Sequence, residues 1–287
     1  MPTNHKAVTM EMLNYKQVAE NIRRELSTYI QKYGLKSLVV GESGGIDSAL
    51  CSALAAPVCR ELGVALIGRS ITIETNKQEE IDRGAAIGEA FCTDFKAIDL
   101  TAQYLPLRAA CEFEQPIGAD LTTKLRMGNI KARMRMVYLY DLAQKHGGLV
   151  LSTDNFTEYL LGFWTLHGDV GDYGMIQTLW KTEVYGLSQY LVDVELSNER
   201  ERLALQRCID AVPTDGLGIT NSDLDQLGAA TYTEVDQLLV AYLANPANVD
   251  ISNPVIQRHI RSEYKRSNPL NLDREVLVKG AKVAASS

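Results

Sequence analysis

Between residues 41 and 48 the chain reads Gly-Glu-Ser-Gly-Gly-Ile-Asp-Ser. Gly44 and Gly45 let the backbone bend tightly and turn its N–H groups inward, and Ser43 and Ser48 add hydroxyl donors. A helix starting just after this turn would aim its positive end at the same spot. Such a cradle suits a phosphate or pyrophosphate. Asp47 is out of place in an anion site unless a cation neutralises it, which magnesium would do. The stretch lacks the lysine of Gly-x-x-x-x-Gly-Lys-Ser/Thr, which argues against a γ-phosphate kinase. Alone, it also reads as a glycine-rich strand–helix turn with Asp47 at the cap.

A second polar cluster runs Ser152-Thr-Asp-Asn-Phe-Thr-Glu158. Asp154 and Glu158 are four apart, so a helix starting there would put both carboxylates on one side. They read as charges favoured by the helix dipole, or, for Glu158, as a co-ligand with Asp47 for a metal. Lys131, Arg133 and Arg135 sit on an otherwise apolar helical stretch and by themselves read as a solvated face. Tyr159, Phe163 and Trp164 read as core aromatics. His5, His146, His167 and His259 show no metal-ligand spacing and read as surface or loop residues. Cys51, Cys59, Cys92, Cys111 and Cys208 form no Cys-x-x-Cys pair and read as reduced core thiols.

The elements that must position these residues follow from periodicity. Met12, Leu13, Val18, Ile22, Leu26 and Ile30 have helical spacing, and Gly34 stops that helix. Residues 37–41 form a short buried strand, 48–62 a helix ended by Gly63, and 64–71 a second strand. Residues 76–91 are helical with Thr75 or Asn76 as cap, and 94–100 form a third strand. Residues 105–121, with Pro106, Pro116 and Gly118, read as irregular. A long helix over 123–146 leads to a fourth strand at 149–151, and helix–turn–helix patterns fill the rest. Strands alternating with helices predict a doubly wound parallel sheet, an α/β single domain with helices on both faces. Ligands gather beyond the carboxyl ends of such strands, where both polar clusters lie.

Composition narrows the class. The chain has 287 residues, 46% hydrophobic and 23% charged, as expected of a globular protein with a substantial core. Its 36 acids against 29 bases leave a net charge of −7, which argues against nucleic acid as a partner. No apolar run is long enough to span a membrane. Residues 1–10 contain Lys6 and no apolar leader-like run, so a cytoplasmic location is expected.

Three motifs in order carry a resemblance. Ser43-Gly-Gly-Ile-Asp-Ser48 resembles the pyrophosphate-binding loop of the N-type ATP pyrophosphatases. Gly128-Asn-Ile-Lys-Ala-Arg-Met-Arg-Met136 resembles a helix of the NAD synthetases. Ser152 to Glu158, followed by Gly162-Phe163 and Gly168-Asp169, is similar to their Gly-Thr-Asp-His-x-x-Glu segment. Weaker likeness continues through Lys181, Pro213-Thr214 and residues 262–266. The likeness covers about residues 15–270, leaving 1–14 as an extension and 271–287 as a tail.

The resemblance implies an enzyme that adenylylates deamido-NAD with ATP and magnesium, then replaces AMP by ammonia. It implies that Gly41, Ser43, Gly44, Gly45, Asp47 and Ser48 hold ATP phosphates. Thr153, Lys181 and Thr214 match further ATP contacts. Asp47 and Glu158 match magnesium ligands, and with Lys181 they would stabilise the departing pyrophosphate. Arg133, Asp172, Tyr264 and Lys265 match contacts to the dinucleotide. A homodimer is implied. The irregular segments around 105–121 and 194–222 are candidate loops that order over ligand. With 15–270 matched and no cysteine in a nucleophile motif, glutamine use is not expected, so a separate glutaminase would have to supply ammonia.

Three positions depart from the family pattern: Asn155 for histidine, Leu166 for lysine and Tyr264 for histidine. The turn after Asp169 is one residue short. All are read as belonging to the substrate half. Nicotinate mononucleotide is therefore a second expected acceptor, and a nucleotide-binding regulatory protein without catalysis is the alternative from another class.

Overall fold

Five strands form one parallel sheet: β1 Ser37–Gly41, β2 Ala65–Thr72, β3 Asp94–Asp99, β4 Gly148–Ser152 and β5 Tyr173–Gly174, in the order β3-β2-β1-β4-β5. The structure is a computed structural model that describes residues 12–74, 76–111, 120–212 and 223–279. Its helices are α1 Tyr15–Tyr33, α2 Ile46–Leu62, α3 Gln78–Phe91, α4 Thr101–Ala110, α5 Leu121–Lys145 and α6 Phe156–Leu161. They continue with α7 Lys181–Tyr190, α8 Glu199–Ile209, α9 Asp223–Leu227, α10 Tyr232–Ala244, α11 Pro254–Arg261 and α12 Glu263–Arg266.

Strand β1 is central, with Val39 opposite both Ile67 and Val150. Alternate residues face opposite layers. Leu38 and Val40 pack with buried residues of α1, α2, α3, α7 and α8, whereas Val39 packs with Met136, Leu139 and Leu142 of α5. A strand covered on both sides must be apolar throughout, which is why Ser37-Leu-Val-Val-Gly41 has no polar alternation. A smaller cluster joins α6, α10 and α11 around Trp180. Among the described residues no helix is long and apolar enough to cross a membrane.

Caps moved several boundaries. Helix α1 starts at Tyr15, not at Met12, because Asn14 accepts from Gln17 N at 3.3 Å; Met12 is fully exposed. Helix α3 starts at Gln78, because the Asn76 side chain is drawn back to accept from Ile73 N at 3.0 Å. The expected irregular stretch at 105–121 is helical to Ala110, with Pro106 tolerated in α4 beside the buried Tyr104. The stretch at 194–222 likewise contains α8, capped by Asn198 and buried through Ala204, Leu205 and Cys208. Residues 112–119 and 213–222 lie outside the described residues. His259 is buried rather than exposed, its Nδ1 2.8 Å from Leu160 O. All five cysteines are free, three of them buried. Strand β5, two residues long, is too short to leave a period in the sequence.

Candidate functional site

Strand order reverses between β1 and β4. Chain leaving β1 turns towards β2, while chain leaving β4 turns towards β5, so the two turns part and leave a cleft. A cavity of about 900 Å³ opens there, and both polar clusters reach it.

The glycine-rich turn is shaped by contact with α3. Gly44 has φ +81°, and a Cβ at this position would lie 2.2 Å from Glu80 O, so only glycine fits. Arg83 Nε donates to Gly44 O at 2.9 Å from the same helix. Within the turn, Gly45 N donates to Ser43 Oγ at 3.2 Å and Ser48 Oγ donates to Gly45 O at 3.1 Å. The loop is therefore held open at the N-terminus of α2, where helix N–H groups and dipole favour an anion. Beneath it Glu42 is buried, accepting from Ser52 Oγ at 2.5 Å. Burial pushes its carboxyl up to about 8, against the hydrogen bonds from Ser52 and Cys92. Its Oε2 has no hydrogen-bond partner among the described residues.

Facing the loop, three elements meet at one charge cluster. Lys181, first residue of α7, places Nζ 2.5 Å from Asp47 Oδ2 and 3.0 Å from Glu158 Oε1. Burial opposes charge on Lys181, but Asp47 and Glu158 reverse this and hold the ammonium well above its usual range. Burial, and then Asp47, push the Glu158 carboxyl up to about 7, with Lys181 opposing. Asn155 caps α6 in a capping box with Glu158 and donates Nδ2 to Asp47 Oδ1 at 2.8 Å. Asp154 precedes α6 instead of sharing its face with Glu158; it accepts from Ser152 Oγ at 3.0 Å. Burial raises its carboxyl strongly, as do Asp169 and Glu158.

The donor set suits magnesium. Asp47 and Glu158 present hard oxygens to one shared cation, the Lys181 ammonium. Among the described residues no group of three or more His, Cys, Asp or Glu could hold a metal alone. Magnesium characteristically takes one or two carboxylates and completes its shell with phosphate and water.

At the far end of the cavity the placements diverge. Lys265 lines it, with Nζ donating to Gly162 O and Trp164 O at 2.7 and 2.5 Å. Arg133 does not line it; its guanidinium donates to Leu166 O at 3.1–3.2 Å. Asp172 is engaged by the fold, accepting from Tyr140 OH at 2.9 Å and Val150 N at 3.0 Å. Tyr264 is 64% exposed and outside the cavity wall. Thr214 lies outside the described residues. Every loop residue from Gly41 to Ser48 named above, together with Thr153, Glu158 and Lys181, lines the cavity.

Several cavity residues were not picked out as site residues by sequence. Phe163 and Trp164, read as core, form part of the wall. Arg135 lines it too, anchored on Ile71 O at 3.1 Å and Asn76 Oδ1 at 3.3 Å. Asp169 is exposed, lines the cavity and accepts from Thr165 N through both oxygens. Enclosure by protein still pushes its carboxyl up to about 6, against the Thr165 N–H and the charges of Lys265 and Arg135. Its only sequence signal is the Gly168-Asp169 pair.

A parallel sheet with an anion loop and paired carboxylates at its switch point defines a nucleotide-binding α/β protein. Comparison with known proteins narrows this. Residues 18–269 match the NAD synthase family. The NH(3)-dependent NAD(+) synthetase of Chlorobium phaeovibrioides is 33% identical over 90% of this chain and 89% of its own length. Among solved structures, the NMN synthetase of Francisella tularensis superposes with TM-score 0.73 at 26% identity, covering 91% of this chain and all of that one. The NH3-dependent NAD synthetase of Campylobacter jejuni, in complex with nitrate, shares the fold at TM-score 0.67 and 22% identity, with coverage of 91% and 100%. The chain belongs to the NAD synthase family and is a carbon–nitrogen ligase with ATP as co-substrate.

Proposed function

We propose that this protein converts deamido-NAD to NAD with ATP and ammonia, releasing AMP and pyrophosphate. The observation that carries the reading is the Asp47–Lys181–Glu158 cluster facing the glycine-rich loop at the switch point. ATP phosphates sit against loop N–H groups and the Ser43 and Ser48 hydroxyls. Gly41, Thr153, Lys181 and Thr214 are assigned to the same nucleotide. Asp47 and Glu158 would hold magnesium, which when bound offsets phosphate charge. The nicotinate carboxylate attacks the α-phosphorus, and the bond to pyrophosphate breaks. Lys181 meets the growing negative charge on the leaving group. Ammonia then attacks the acyl carbon and AMP leaves. The cavity's contribution is to hold carboxylate and phosphorus in line.

Ammonia rather than glutamine is the nitrogen source. A glutaminase nucleophile needs a thiolate. Burial pushes the Cys59 and Cys208 thiols up to about 12 and raises Cys51 and Cys92 strongly. A separate glutaminase could supply ammonia in the cell. The protein is assigned to the cytoplasm as a homodimer; exposed apolar residues on α5, among them Leu121, Val137 and Tyr140, support association. At the substrate end we assign Lys265 and, in place of Asp172, Asp169. Arg133 and Tyr264 are kept as contacts that ligand would have to recruit.

Nicotinate mononucleotide is the second reading, favoured by the Francisella tularensis likeness and by Leu166 in place of lysine. Pyrophosphate release with magnesium, ATP, ammonium and each acid tests both. The expected result is a higher kcat/KM for deamido-NAD; a higher value for the mononucleotide would transfer the assignment. Asp47→Asn should abolish release while the fold survives, and near-normal activity in that variant would overturn the site.

A further inference from the structure

Asn155 is fully buried and makes three hydrogen bonds to the two carboxylate residues. Its Nδ2 donates to Asp47 Oδ1 at 2.8 Å, and its Oδ1 accepts from Glu158 N at 3.0 Å. Its backbone N donates to Glu158 Oε2 at 3.3 Å. The amide's orientation follows from these partners, since only nitrogen can donate to a carboxylate and only oxygen can accept from N–H. Lys181 holds one oxygen of each carboxylate, which leaves both free to pivot about that contact. Asn155 holds the other oxygen of each. The amide is also uncharged, so it adds nothing to the two negative charges that Lys181 already balances in part.

We propose that Asn155 is a positioning residue that locks Asp47 and Glu158 as one rigid pair across the α2–α6 gap before metal and nucleotide arrive. The proposal rests on the ATP and magnesium reading above. Its physical basis is preorganisation: carboxylates fixed in rotation need not be ordered when the ligand binds. It also explains why asparagine suffices where the family motif has histidine. The position needs a donor for Asp47 and an acceptor for the first turn of α6.

Asn155→Ser tests this. Serine is an equally good helix cap but has no amino group to reach Asp47. The ligand-free variant should melt within about 3 °C of wild type. Calorimetry should show ATP with magnesium binding about ten-fold or more weakly, the factor expected for a hydrogen bond to a charged group. ATP without metal should bind as in wild type. The kcat should fall by a similar factor with KM for the acid unchanged. Should serine fail to fold, Asn155→Thr also caps α6 without an amino group for Asp47. It should lower kcat alike and leave ATP binding without metal unchanged. Wild-type binding and kcat in the folded variant would reduce Asn155 to a helix cap and overturn the proposal alone. Failure of the wild-type protein to bind ATP with magnesium would overturn the underlying reading instead.

Discussion

The two ends of the cavity are built on different principles. At the loop end Asp47, Asn155, Glu158 and Lys181 come from the starts of α2, α6 and α7 and meet within 2.5–3.0 Å. At the other end Arg133 serves a backbone carbonyl, Asp172 serves β4, Tyr264 is exposed, and Lys265 braces a turn. The first end is arranged before ligand arrives; the second is largely occupied with its own structure. Chemistry common to a family can be preset in the scaffold. Choice of acid rests on side chains that other demands already hold.

The largest effect should come from removing the shared cation. Lys181→Ala leaves two part-buried carboxylates facing each other and should cost about 3 kcal/mol in urea unfolding, with pyrophosphate release lost. Stability near wild type would show that the loop end is not a unit.

Glu42 tests whether the support beneath the loop is as finely set. Its carboxyl keeps its proton in the folded state, where the unfolded chain has lost it, between the usual 4.5 and about 8. The native state binds more protons in that window, so stability falls as pH rises through it. Glu42→Gln should remove this fall, gaining about 2–4 kcal/mol over wild type at pH 8 and nothing at pH 4. Melting curves that stay parallel from pH 4 to 8 would refute it.

At the other end, two neighbouring acids sharpen the contrast. Asp169→Asn should lower kcat/KM by about ten-fold or more with little change in stability. Asp172→Asn should cost about 1 kcal/mol of stability through Tyr140 and Val150 and leave kcat/KM within about three-fold. The reverse pattern would return the substrate role to Asp172. Smallest of all, Tyr264→Phe should change stability by less than about 0.5 kcal/mol. A large loss of kcat/KM in Tyr264→Phe would mean that ligand recruits α12.

Much of this was legible in the chain. The strand–turn–helix at 37–62, the closing glycines and the polar ends of β1 and β4 are local. They follow from periodicity, φ preferences and cap chemistry, which act over a few residues. So does the family resemblance, whose motifs run in order. The acceptor acid was less legible because its determinants are spread over α5, the turn at 162–172 and α12.

What sequence alone determined, then, was a doubly wound sheet with a phosphate-type loop and a set of charged candidates. Only the tertiary structure decided which candidates meet. Lys181 and Asp47 are 134 positions apart, and Asn155 and Asp47 are 108. Their contacts depend on how α2, α6 and α7 pack at the switch point. The same packing placed Asp169, not Asp172, at the cavity and gave Arg135, not Arg133, a place in its wall. A residue's type is local information, but the direction its side chain faces is set by the distant partners that satisfy its hydrogen bonds.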